Sequence, residues 1–383
     1  MRSVMGLFVL GCLLGCGDEE AAETPAPFAE MWENGADRYM GAFEPVEQTE
    51  EGGVTTSTFS VDDGPMCMRG TPYSVSTREG ADDRLFLFMQ GGGACWSNFC
   101  LAIESAPGGI PDIHVLSPDY AANPMADFDL VYLPYCDGSL FVGDRDWDDD
   151  GDGTMDRMQR GLMNLSAALD VSVDTFPNPP EVVLAGSSGG GYGTILAAAL
   201  VRKAYPNATI RVFNDSGLGL GDPVDVAFIP RLLEEFGADH LIPDSCNDCF
   251  GSGHSSKLLQ WELDQDPNLE IAAYSSKRDI IIGDVFLGVG ADVYESEMLA
   301  ETAGLVASGD GRFQRFVVNG ASHTVLIGDV NDFLGGDIVL PPPLDTIVVM
   351  GTLGETAVDG VTAGEWMRRF VEGEDGWTSL VEP

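Results

Sequence analysis

Residues 181–193, EVVLAGSSGGGYG, constrain this chain more than any other stretch. Val182, Val183 and Leu184 form an apolar β-type run that enters Gly186-Ser187-Ser188-Gly189-Gly190, and then the small, helix-prone TILAAALVRKAY. Strand, sharp turn and helix together are the context a G-x-S-x-G elbow requires, in which a serine on a strained turn projects its hydroxyl above the sheet. A side chain two residues before or after that serine would collide with the neighbouring strand and helix. Gly186 and Gly190 avoid the collision. The pattern alone is weak in a chain with 48 glycines; the flanking strand and helix give it weight and make Ser188 the candidate nucleophile.

Elsewhere, apolar strands alternate with helical stretches. TTSTFSVDDG and TPYSVSTREG alternate in period two around turn residues and predict an opening β-hairpin. Continuous apolar runs at 84–90, 128–136, 209–215, 269–276 and 312–320 read as buried strands. Helices are expected around Leu162, Leu165 and Leu169, after the elbow, at PRLLEEF, near SEMLAETAGLVA and at the closing AGEWMRRFVEG. This alternation implies an α/β fold: a mostly parallel central sheet with helices on both faces and ligands beyond the carboxyl ends of its strands.

A serine nucleophile needs a base, an acid and donors for the developing oxyanion. In the α/β-hydrolase order, Ser is followed along the chain by Asp or Glu and then by His on the loop after the last strand. Of the four histidines, His323 in GASHTVL follows the last apolar run and fits that place, with His254 as runner-up. The acid should close the preceding strand, LEIAAYSS, which selects Asp279 over its rivals Asp215 and Asp284. Gly189, directly after the serine, and Gly92 and Gly93, after RLFLFMQ, are the expected backbone donors of the oxyanion hole. Neither glycine run ends in the Lys-Ser/Thr of a nucleotide-phosphate loop, so no nucleotide and no catalytic cofactor are expected.

The second constellation is acidic. Counting from Asp148, residues 148–156 read D-x-D-x-D-G-x-x-D, so Asp148, Asp150, Asp152 and Asp156 could converge on a hard cation while Gly153 permits the turn. The twelfth position is Gln159 rather than a bidentate glutamate, which points to a structural Ca2+ of modest affinity in the loop 146–159.

The chain opens MRSVMGLFVLGCLLGCGDEE, whose single basic residue, short apolar core and Leu13-Leu14-Gly15-Cys16 look like a bacterial lipoprotein signal. Residues 1–15 would then be removed, Cys16 lipidated, 16–50 left as a flexible acidic tether, and 51–383 folded as the catalytic domain. The expectation is an exported, monomeric lipoprotein of the outer membrane, periplasm or cell surface, touching the membrane only through Cys16. Loss of Arg2 leaves 18 Lys+Arg against 62 Asp+Glu, a formal charge of −44. Such a surface repels nucleic acid and anionic lipid, and favours a neutral ester over a polyanionic substrate at low salt. Apolar residues make up 44% of the chain, enough for a large core, so the acidity does not mean disorder. Cys67, Cys95, Cys100, Cys136, Cys246 and Cys249 form an even set that reads as disulfides of open pairing. Cys246-x-x-Cys249 lacks the second pair a zinc site would need.

With these residues assembled, the chain resembles the pectin acetylesterase and Notum family of serine α/β-hydrolases. FMQGGGACW, PYCDGSLFVGD, AGSSGGG and FNDSGLG carry the resemblance, and CMRGTPYSV and GASHT look like the bacterial branch. The resemblance implies the α/β-hydrolase fold and carboxylic ester hydrolysis by Ser188, Asp279 and His323, with Trp96, Asp137 and Asp215 near the substrate pocket. The family includes enzymes that remove acetyl groups from polysaccharide and others that remove a fatty acyl group from protein, so acyl length stays open. The expected function is deacylation of a glycan or similar neutral ester through an acyl-enzyme. The alternative is a calcium-stabilised surface binding lipoprotein on an inactive hydrolase scaffold.

Overall fold

The computed structural model describes residues 26–328 and 350–383; the stretch 1–15 expected to be a lipoprotein signal, and Cys16 expected to carry the lipid, lie outside the described residues. Ten strands build the main sheet: β1 Glu47–Glu51, β2 Val54–Thr58, β3 Ser74–Arg78, β4 Asp82–Met89, β5 Phe128–Leu133, β6 Glu181–Ser187, β7 Thr209–Asp215, β8 Leu269–Ser276, β9 Phe313–Val318 and β10 Leu380–Val381. Their order is β1-β2-β3-β5-β4-β6-β7-β8-β9-β10. The pairings from β1 to β5 are antiparallel, and those from β5 through β10 are parallel. Gly52 and Gly53, at φ 58° and 80°, form the two-residue turn between β1 and β2, a conformation that suits glycine at both positions.

Seven α-helices lie among the described residues: α1 Ala29–Glu33, α2 Gly161–Thr175, α3 Gly189–Ala204, α4 Phe228–Phe236, α5 Ser256–Gln265, α6 Ala291–Ser308 and α7 Ala363–Val371. The pleat divides the apolar strands between two cores. Leu85, Leu87, Val182, Leu184, Ile210 and Val212 meet side chains of α2, α3, α5 and α6. Phe86, Phe88, Val183, Ala185 and Phe213 meet Val325, Leu326 and, from α7, Trp366 and Phe370. Both faces are therefore covered, which is why these strands read as continuous apolar runs.

The five predicted apolar strands are β4, β5, β7, β8 and β9. The amino-terminal part differs from expectation. The predicted hairpin partners pair as β2 and β3, but β1 precedes them inside the stretch read as a tether. Phe28 and Met31 are buried in the core, and Trp32 Nε1 donates to Ala199 O of α3 at 3.1 Å. The packed chain thus begins near Phe28, because apolar residues scattered among the acidic ones dock there.

Three disulfides close the open pairing: Cys67–Cys136, Cys95–Cys100 and Cys246–Cys249. They suit an oxidising, extracytoplasmic setting. No helix of the described residues is long and apolar enough to cross a membrane.

Candidate active site

β6 ends at Ser187 and α3 begins at Gly189, leaving Ser188 on the turn with φ 57° and ψ −119°. A non-glycine residue resists this backbone, so the surroundings must impose it. Ser188 N–H donates to Asp215 O at 2.8 Å, and Ser188 O accepts from Tyr192 N–H at 3.0 Å. A Cβ on Gly186 would lie 2.3 Å from Gly190 O, and one on Gly190 would lie 2.1 Å from Met89 O. Glycine is required at both places, for the steric reason the motif predicts.

Asp279 and His323 lie on the loops after β8 and β9, at the same sheet edge. His323 Nδ1 is 2.7 Å from Asp279 Oδ2, and both residues are buried. Asp279 Oδ1 accepts from Ile281 N–H and Ile282 N–H at 3.0 and 3.1 Å, which fixes the carboxylate. An Nδ1–H directed at Asp279 leaves Nε2 as the basic nitrogen; Nε2 is buried and has no hydrogen-bond partner among the described residues. His254 is differently employed: its Nδ1 accepts from Gly221 N–H at 3.0 Å and its Nε2 lies 3.2 Å from Glu297. Asp284 is exposed on the turn after Asp279.

Ser188 lines a small cavity of ≈ 40 Å³ together with Gly93 and Gly189. Its side-chain walls are hydrocarbon, notably Phe99, Leu101, Leu140, Ile282, Val285 and Phe286. A Cβ on Gly189 would stand 2.9 Å from Gly93 O and 3.8 Å from Gly92 N, so the Gly92–Gly93 backbone lies against the residue after the serine. Such closeness suits amide donors to an oxyanion. These walls are not apparent from any motif of the sequence; the apolar IIGDVF directly after the acid is their available signal.

Residues 47–228 match the model of the pectinacetylesterase family. Over this stretch the chain is similar to the pectinacetylesterase family. No curated protein matches the chain. The pectinacetylesterase segment contains FMQGGGACW, PYCDGSLFVGD, AGSSGGG and FNDSGLG, and with them Ser188. It ends before Asp279 and His323, which pair with each other; among the described residues His323 Nε2 makes no hydrogen bond to Ser188. Similarity to the pectinacetylesterase family implies an esterase.

Trp96, Asp137 and Asp215 are not among the residues that line the serine cavity. Trp96 does not line the serine cavity; it stacks on Phe99 at 4.5 Å and meets Phe286 edge-on at 5.5 Å, behind the wall. Its open side belongs to a neighbouring groove of ≈ 520 Å³ shared with Arg145, Trp147 and Phe228. Asp137 is 1% exposed and accepts from Ser139 N–H at 2.8 Å and from Ser139 Oγ–H, so it braces the turn that follows it. Burial pushes its carboxyl up to about 6. Asp215 is fully buried and spends its carboxylate on Ser187, Val325 and Leu326, beneath the elbow and out of a substrate's reach.

In the acidic loop, carboxylate oxygens of Asp148, Asp150 and Asp156 lie within 4.8 Å of one another. Asp152 is not part of this group; its Oδ1 accepts from Thr154 N–H at 2.7 Å. Arg157 ties the loop to α4 by pairing with Asp149 at 2.9 Å and Glu235 at 3.1 Å.

Proposed function

We propose that this chain is a serine esterase that removes short acyl groups from a neutral, glycan-type ester through an acyl-enzyme on Ser188. The observation that carries the reading is the buried Asp279–His323 pair, with its Nε2 unpartnered among the described residues, at the sheet edge that also holds a strained serine facing a hydrocarbon cavity.

In the reaction, His323 Nε2 takes the Ser188 proton as Oγ attacks the ester carbonyl. The oxyanion faces amides of Gly189 and the Gly92–Gly93 backbone, and Asp279 stabilises the imidazolium as it forms. His323 then gives its proton to the leaving alkoxide. Water, activated by the same nitrogen, attacks the acyl carbon and frees Ser188.

The cavity sets the acyl group. Hydrocarbon walls would leave sugar hydroxyls without partners but cost an alkyl chain nothing. A volume of ≈ 40 Å³ holds roughly three water-sized groups, which suits acetyl to butyryl. The sugar therefore sits outside. Pairing of Arg278 with Asp292 and Glu295 also limits the positive charge that could draw in a polyanion. A Ca2+ held by Asp148, Asp150 and Asp156 would brace the loop without entering the chemistry. Export as a monomeric lipoprotein anchored at Cys16 completes the proposal.

A fluorophosphonate probe and a series of p-nitrophenyl esters test it. Labelling of the wild type but not of Ser188→Ala, with acetate preferred over octanoate, is the expected result. An unlabelled wild type would instead favour a binding scaffold.

A further inference from the structure

We propose that Asp215 is a positioning residue whose buried carboxylate clamps the loop carrying His323 onto the strand carrying Ser188. The inference rests on the serine-esterase reading above. In the sheet, the nucleophile strand β6 and the base strand β9 are not neighbours: β7 and β8 lie between them. Something must span that gap if nucleophile and base are to meet at this edge, and Asp215 closes β7 in register with Ser187.

Its carboxylate accepts Ser187 Oγ–H at 2.7 Å, Val325 N–H at 3.0 Å and Leu326 N–H at 3.0 Å. Its carbonyl accepts Ser188 N–H at 2.8 Å, and the next residue, Ser216, accepts Thr324 N–H on Oγ at 3.2 Å. Two adjacent residues thus grip the elbow on one side and the residues directly after His323 on the other. The clamp also joins three left-handed non-glycine residues: Ser188 at φ 57°, Ser216 at 61° and Thr324 at 57°. Each is a conformation the chain would leave without such bonds.

The chemistry requires a carboxylate. Three donors converge on it and it offers none in return, whereas the amide of an asparagine would turn an N–H toward one of them. Among the described residues Asp215 has no cationic partner other than a protonated His323, and Tyr274 is a titratable neighbour. Burial raises its carboxyl to about 6 while the hydrogen bonds oppose the rise, so it is mostly ionised at neutral pH.

The test is Asp215→Asn in the full chain, with Ser188→Ala and His323→Ala beside it, assayed on p-nitrophenyl acetate with active sites titrated by fluorophosphonate. Misplacing the base by about an ångström predicts kcat per titrated site lowered by about 30- to 100-fold, with KM within about threefold of wild type. A residue that merely held the fold would lower the number of titratable sites and leave kcat per site unchanged. A kcat per site within threefold of wild type therefore overturns the clamp. Should Asp215→Asn fail to fold, Ser216→Ala removes only the Thr324 acceptor; a roughly 3- to 10-fold fall in kcat per site supports the clamp and an unchanged value overturns it. Full activity in Ser188→Ala or His323→Ala would remove the esterase reading and the clamp with it. Loss in those two with none in Asp215→Asn removes the clamp alone.

Discussion

Phe286→Ala should convert a short-chain esterase into one that accepts medium chains. Phe286 closes the cavity beside Ser188 and is held edge-on by Trp96 at 5.5 Å, with the Tyr192 ring at 5.4 Å. Removing its ring opens space for roughly four methylenes at interior packing density. Each methylene buried there stabilises the bound acyl chain by about 0.8 kcal/mol, or roughly fourfold. Partial collapse of the surrounding aromatics would forfeit part of this, so the hexanoate-to-acetate ratio of kcat/KM should rise by about 10- to 100-fold. Because Phe286 is only partly buried, the folding cost should be about 1–3 kcal/mol, below that of a fully buried phenylalanine. The assay is kcat/KM on p-nitrophenyl esters from two to ten carbons, with melting curves to show the variant is folded. A wild type that prefers decanoate, or a folded variant whose chain-length profile does not move, would refute the acyl-pocket argument.

Ser188→Ala and His323→Ala should each lower esterase activity by at least about 10³-fold, whereas His254→Ala should not, because both its ring nitrogens are already bonded elsewhere; retention of a tenth of the activity by either of the first two would reject its role. Asp137 has a folded-state pKa near 6 against an ordinary 3.8, so the stability it contributes is present below about pH 4 and lost as pH rises through about 6. Asp137→Asn should therefore flatten the melting temperature between pH 4 and 6, by an amount on the order of 2 kcal/mol, and a steeper profile would contradict the assignment. Millimolar Ca2+ should raise the melting temperature by a few degrees relative to chelator through Asp148, Asp150 and Asp156, and Asp150→Asn should abolish the rise; identical curves for the wild type would leave the loop as solvated charge. With a formal charge of −43, acetate release from acetylated pectin should climb between ~10 and ~300 mM salt while release from acetylated xylan stays nearly level, and faster pectin turnover at low salt would sink the charge argument.

The sequence by itself determined what short-range sterics and two-sided burial decide. The elbow was legible because the clashes that demand Gly186 and Gly190 arise within a strand, a turn and a helix that are contiguous in the chain. β4, β5, β7, β8 and β9 were legible because strands covered on both faces have no polar side to break the run. Tertiary structure decided everything that depends on how separate loops approach one another. Three acids follow strands near the right edge, and only the paths after β8 and β9 bring Asp279, rather than Asp215 or Asp284, to His323 Nδ1. Asp137 and Asp215 looked like substrate groups in their motifs, but burial on all sides made them internal braces. The cavity is likewise a product of assembly. Its walls come from segments as distant as Phe99, Leu140 and Phe286, and no local pattern can reveal a space that exists only where they converge.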